Sequence, residues 1–331
     1  MLLLIVALAG LAGAAVFGLL FAFLGLKGHS VKLPVIGMAA CSLVVIVIGV
    51  LSFLGIGVPD HSSADGGQSV GEDGASKPKS DVPAGEEEVS EQVLLDESGI
   101  VITAEGIERK GTFGANLKIL IENNSEADVT VQARNSSVNG YMVDTMFSCT
   151  VAAGKKANDS ITFLSSDLEA CDIETIADME FSFHIFNDSW ETVLDSDLVK
   201  VNTSAAETYT YGFDDSGSEL HNENGVRIIS KGFSDDQSIF GPGLVLFIEN
   251  TTGKDVTVQV RDVSVNGFMV DTMFSEDVTA DKCAVTAITV MSSSLEENGI
   301  DKIEEMEFYF HVFESDSWAT IFDTDKVVVS A

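Results

Sequence analysis

The chain contains one unit twice, and no other feature restricts its fold as strongly. Val138-Asn139-Gly140-Tyr141-Met142-Val143-Asp144-Thr145-Met146-Phe147 returns as Val265-Asn266-Gly267-Phe268-Met269-Val270-Asp271-Thr272-Met273-Phe274, 266 − 139 = 127 residues later. The same offset carries Glu122 onto Glu249, Val131 onto Val258 and His184 onto His311. From Leu120 to Ser148, 20 of 29 positions are identical to their partners. Each copy is large enough to hold its own core, and two copies are too few for a solenoid.

Within each copy the apolar residues alternate with polar ones, the mark of half-buried strands. Asp128-Val129-Thr130-Val131-Gln132 and Asp255–Gln259 are examples, as are Phe181–Phe186 and Phe308–Phe313. About seven or eight short strands per copy, separated by turn signals, indicate an all-β fold of immunoglobulin-like β-sandwich type, a closed barrel being the alternative. A short, helical crossing is expected at 168–176 and 295–303. The motif IENN(S)…VTVQ(A)R…VNGYMVD…F, then EFSFHIF and a Trp strand ending in DSD, resembles immunoglobulin-like extracytoplasmic repeat domains of Gram-positive membrane proteins and lipoproteins. The resemblance covers about 93–203 and 220–331. It implies an envelope-exposed sandwich and brings no activity, ligand or catalytic residue with it.

Charge divides the chain. The net charge is −34, yet residues 1–58 are almost purely apolar. Met1–Leu26 holds no charged residue and is long enough to cross a hydrocarbon core roughly 30 Å thick. Leu33–Val58 is a second such run, so the expectation is a transmembrane hairpin of helices at 1–26 and 33–58. A cleaved signal peptide is the alternative for the first run, which lacks a positive n-region. Lys27 and Lys32 place the short loop 27–32 in the cytoplasm and the rest of the chain outside. Residues 59–92 are rich in Gly, Ser, Asp and Glu and read as a disordered acidic tether. The repeats are expected at 93–206 and 220–331, joined by a linker at 207–219. So acidic a chain disfavours nucleic acid as a partner.

Candidate sites are few. Asn139-Gly140 and Asn266-Gly267 signal type I′ hairpins. A simple two-residue loop would oppose Asp262 to Asp271 and turn Tyr141 away from the core, so a bulge near Ser136-Ser137 is expected. Asp195-x-Asp197 and Asp323-x-Asp325 read as turn residues rather than Ca²⁺ ligands, and His184 and His311 as packed or edge-strand histidines without metal partners. Trp190 and Trp318 cover one end of each sandwich or, as exposed aromatics, anchor a partner, and Tyr141 and Phe268 are further candidate contacts. Cys149, Cys171 and Cys283 align with Glu276, Asn298 and Lys156, so no bridge is common to both copies and free thiols are expected. No catalytic, metal or cofactor signature is present. The expected function is binding of a protein or cell-wall component by a membrane-anchored, non-enzymatic envelope protein, with an accessory or sensory subunit of a membrane complex as the alternative.

Overall fold

The computed structural model describes residues 83–238 and 241–331. The apolar runs 1–26 and 33–58 expected to form a transmembrane hairpin, the loop between them and most of the tether lie outside the described residues. None of the described helices is long and apolar enough to cross a membrane.

The first repeat runs through β1 (Gln92–Glu97), β2 (Ile100–Glu108), β3 (Gly114–Asn123), β4 (Val129–Val138), β5 (Tyr141–Met142), β6 (Thr145–Met146), β7 (Ser148–Val151) and β8 (Lys155–Leu164). Helix α1 (Ser165–Ala170), β9 (Asp178–Asn187), β10 (Thr192–Asp195) and β11 (Val199–Asn202) complete it. The second repeat follows the same order. It comprises β12 (Ser218–Glu223), β13 (Val226–Ser238), β14 (Gly241–Asn250), β15 (Val256–Val265), β16 (Phe268–Met269), β17 (Thr272–Met273) and β18 (Ser275–Val278). It ends with β19 (Cys283–Val290), α2 (Ser292–Glu297), β20 (Glu305–Glu314), β21 (Thr320–Asp323) and β22 (Val327–Ser330). The all-β class expected from the alternating pattern is therefore what the described residues adopt, arranged in three sheets that are antiparallel except where β19 meets β5 in parallel.

Burial follows the two-residue period. On β9, Met179, Phe181, Phe183 and Ile185 point inward while Glu180, Ser182 and His184 point outward. They meet Leu117, Ile119 and Ile121 of β3 in one core, and each fully buried side chain of this size contributes about 1.5–3 kcal/mol. The second repeat has the matching core around Leu244, Leu246, Phe308 and Phe310.

The Asn-Gly hairpin has the expected two-residue loop, with Val138 opposite Tyr141 and Ser137 opposite Met142. Asn139 and Gly140 sit at φ 52° and 88°, the left-handed pair that a type I′ turn requires. The bulge falls between Arg134 and Ser137, where Asn135 takes φ 53°. Asp262 does the same in the second copy. The returning chain then leaves β4: β6 pairs with β8 in the opposite sheet, and β7 comes back to pair with β4. Asp262 and Asp271 consequently never face each other, because Asp271 instead accepts the N–H of Met291.

Two stretches read as linkers are packed. Within 83–92, Glu87 accepts the N–H of Ile176 at 2.8 Å and pairs with Arg109 at 3.3 Å, and Val89 is buried. Within 207–219, Tyr209 and Tyr211 reach Asn139 and Asp178, and Phe213 packs edge-on against Tyr141 with ring centroids 5.0 Å apart. The physical reason is the same in both: the glutamate and the aromatic rings find partners on the first repeat that offset the entropy of ordering.

The repeats are joined as one body. Cys283 of β19 bridges to Tyr141 of β5, and its N–H donates to Gly140 at 2.9 Å. Six strands of the first repeat and five of the second thereby share an 11-stranded sheet. Phe247, Ile229 and Cys283 of the second repeat enter the core of the first. A half-buried ion pair between Lys282 and Glu180, 2.6 Å long, closes one edge.

Candidate binding face

Each repeat presents an outer sheet face that is built from matched residues. In the first, Phe186 on β9 lies across from Thr130 on β4, which lies across from Thr150 on β7. One step along the strands, His184 lies across from Gln132, and Gln132 across from Ser148. Strand β10 adds Thr192 beside Phe186 and Asp195 beside His184. The second repeat places Phe313, Thr257 and Asp277 in the first row, with Thr320 at its end. Its second row is His311, Gln259 and Ser275, closed by Asp323. Of these eight positions only Thr150, replaced by Asp277, differs between the copies.

The rows are hydrogen-bonded. His184 Nδ1 donates to Asp195 Oδ1 at 2.5 Å, and His311 Nδ1 donates to Asp323 Oδ1 at 2.7 Å. The carboxylate thus fixes the imidazole orientation and leaves Nε2 for other partners. Thr130 and Thr150 share a bond of 2.8 Å, Thr257 donates to Asp277 at 2.5 Å, and Gln259 Nε2 donates to Ser275 Oγ at 3.2 Å. The serine is not a nucleophile for the histidine. Two strand spacings of about 4.8 Å separate them, with glutamine between.

Above each row stands a tryptophan. Trp190 stacks on Phe186 with centroids 5.1 Å apart and planes 13° apart. Trp318 stacks on Phe313 at 5.3 Å and 13°. The phenylalanines are buried beneath, while the tryptophans remain 74% and 75% exposed. The turns that carry them differ in length: 190 − 186 = 4 residues in the first copy and 318 − 313 = 5 in the second. In the first, Asn187 Oδ1 accepts the N–H groups of Ser189 and Glu191, and in the second Ser317 Oγ donates to Glu314. Two different turns therefore deliver one geometry. Both tryptophans also sit at positive φ, 63° and 58°. A bulky side chain there costs on the order of 1 kcal/mol, which so exposed a ring recovers only in part by burial.

The other candidate contacts divide. Tyr141 is buried rather than exposed, at 5%, because the second repeat and Phe213 cover it. Its hydroxyl accepts the N–H of Asp214 at 3.1 Å, and burial raises its pKa above the usual phenol range. Phe268 is half exposed at the tip of the second hairpin, beside the exposed Met269. The sequence reading missed the His–Asp pairs. The repeated order His…Asp on adjacent strands in both copies was the available signal.

A cleft of about 510 Å³ lies between the repeats, lined in part by Asp144, Asp167, Glu276 and Asp277. Desolvation, then the nearby carboxylates, push Glu276 up to about 7 against the bond it receives from Thr286. Desolvation and Asp167 likewise raise Asp144. Among the described residues no three His, Cys, Asp or Glu side chains are grouped to hold a metal ion. Cys149, Cys171 and Cys283 are free and buried, with desolvation raising Cys149 to about 11 and Cys171 to about 12.

No family model matches the chain, and no curated protein matches it. Among solved structures, the crystal structure of YadV chaperone is similar over 70% of this chain and 100% of that chain, at 12% identity and a TM-score of 0.21. A likeness that slight bears on neither fold nor function.

Proposed function

We propose that the chain is a membrane-anchored cell-envelope protein that displays two immunoglobulin-like β-sandwich domains on the outer side of the membrane for binding. The apolar runs at 1–26 and 33–58 and the acidic stretch that follows support the anchor and tether. The single observation that carries the binding role is the pair of exposed tryptophans, stacked alike on equivalent faces by turns of unequal length. A ring held in one orientation loses little entropy on contact, which is how exposed tryptophans come to dominate binding energies. No catalytic step is proposed.

Isolated envelopes provide the test. Full-length protein in detergent is expected to co-sediment with them, and the double variant Trp190→Ala/Trp318→Ala to stay in the supernatant. Equal retention of the two would overturn the binding role. The anchor is tested separately: native protein should resist alkaline washing of the membrane and be cut by protease added outside intact cells.

A further inference from the structure

We infer that the two tryptophan faces are glycan-binding sites, and that the ligand is a neutral polysaccharide whose repeating pyranose units stack on Trp190 and Trp318. This rests on the binding role proposed above and names its ligand.

The chemistry of the face selects the class. A pyranose ring has one apolar face of C–H bonds and an equatorial rim of hydroxyls, so its recognition needs a flat aromatic surface beside hydrogen-bonding groups. Each tryptophan offers one indole face to solvent while Phe186 or Phe313 backs the other. The neighbouring row supplies neutral or paired groups: Gln132 and the His184–Asp195 pair in the first copy, Gln259 and the His311–Asp323 pair in the second. With Nδ1 bound to the carboxylate, imidazole Nε2 is left to bond a hydroxyl, which can donate or accept, and the glutamine amide both donates and accepts.

Charge narrows the class further. A chain of net charge −34 repels polyanions at long range, which argues against uronate, sulfated or phosphate-bearing polymers. Duplication points the same way. Two near-identical sites on one joined body match a ligand that repeats its own recognition unit, and binding two units of one strand raises avidity without any new contact. A protein partner would not need to present the same group twice.

The site is also kept apart from the part of the fold that changed. On the other sheet, the outward positions Leu120, Lys156 and Asn158 of the first repeat correspond to Phe247, Cys283 and Val285 of the second, on the face that packs against its neighbour. On the tryptophan face seven of eight positions are identical in the two copies.

The test is calorimetric titration of the full-length protein in detergent with chitotetraose, cellotetraose and mannotetraose, and with tetragalacturonate as the anionic probe. At least one neutral tetrasaccharide is expected to bind with a stoichiometry of two, and tetragalacturonate at least about tenfold more weakly. Trp190→Ala and Trp318→Ala should each reduce the stoichiometry to one, leave the remaining site's affinity unchanged and preserve the β-sheet circular dichroism. A purely structural tryptophan would not remove one site and spare the other. Absence of binding by all three neutral probes, with tryptophan-dependent retention on envelopes intact, overturns the glycan assignment and leaves the binding role standing. Loss of both overturns both, and tighter binding of the anionic probe overturns the neutral class.

Discussion

The same ten-residue hairpin lives in two environments within this molecule. In the first repeat Tyr141 is 5% exposed, and in the second its counterpart Phe268 is 49% exposed. The hairpins are nearly identical in sequence and in backbone, with Asn139 and Asn266 at φ 52° and 51°. What differs is the acceptor. Phe247 and Cys283 meet Tyr141 and Ile229 joins the same core, whereas the corresponding positions of the first repeat are Leu120, Thr103 and Lys156. The joint is therefore encoded in the surface that receives the hairpin. The same contact also stops after one step, since docking Phe268 on a further first repeat would bury Lys156 and Thr103.

That comparison can be broken most sharply at the aromatic itself. Tyr141→Ala should lower stability by about 3–5 kcal/mol in denaturant unfolding, and Phe268→Ala by about 0.5 kcal/mol or less. Equal effects would mean that the second repeat does not cover Tyr141 in solution.

The next largest effect is pH-dependent. Cys149 of the first repeat is an inward thiol, and its counterpart Glu276 is a carboxyl in the inter-repeat cleft, raised to about 7. Its protonated form is favoured in the folded state, so the folded chain binds more protons between about pH 4.5 and 7, and stability falls as pH rises through that window. The loss should reach on the order of 3 kcal/mol by pH 8. Glu276→Gln should flatten the profile and exceed the wild type at pH 8. An unchanged slope in this variant would remove Glu276 as the cause.

Asparagine gives the smallest contrast. Asn139 is buried, donates to Thr175 and Tyr209 and accepts from Ala177 and Asp178. Asn266 makes the related bonds to Lys302, Glu304 and Glu305 in a more open setting. Asn139→Ala should cost about 1–2 kcal/mol more than Asn266→Ala, as a larger number of buried groups is left unpaired. Thermal unfolding of the two single variants measures it.

Much of this was legible in the sequence. The 127-residue offset is read by comparing the sequence with itself, and the alternating strands, the Asn-Gly turn and the need for a bulge follow from local rules, which act over a few residues. The joint did not follow, because it depends on contacts between residues such as Tyr141 and Phe247 that are far apart in the chain. Its trace was nevertheless present: Ile229, Cys283 and Val285 stand where the first copy has the polar Thr103, Lys156 and Asn158. The His184–Asp195 pair was hidden for a different reason. The register of β10 on β9 shifts between Thr192 and Leu194, so counting residues back from the turn does not place Asp195 opposite the histidine. The tryptophans were found as candidates, but their exposure and stacking depend on turn geometry that composition does not specify.

The chain holds only two tryptophans, and both belong to the proposed ligand faces. Intrinsic fluorescence therefore reports those faces alone. The account predicts a red-shifted, readily acrylamide-quenched emission in the free protein, and a blue shift with loss of quenching as a neutral tetrasaccharide is added, halved in amplitude in Trp190→Phe or Trp318→Phe. Emission that is already blue-shifted and shielded without ligand, or that stays unchanged while the saccharide binds, would contradict it.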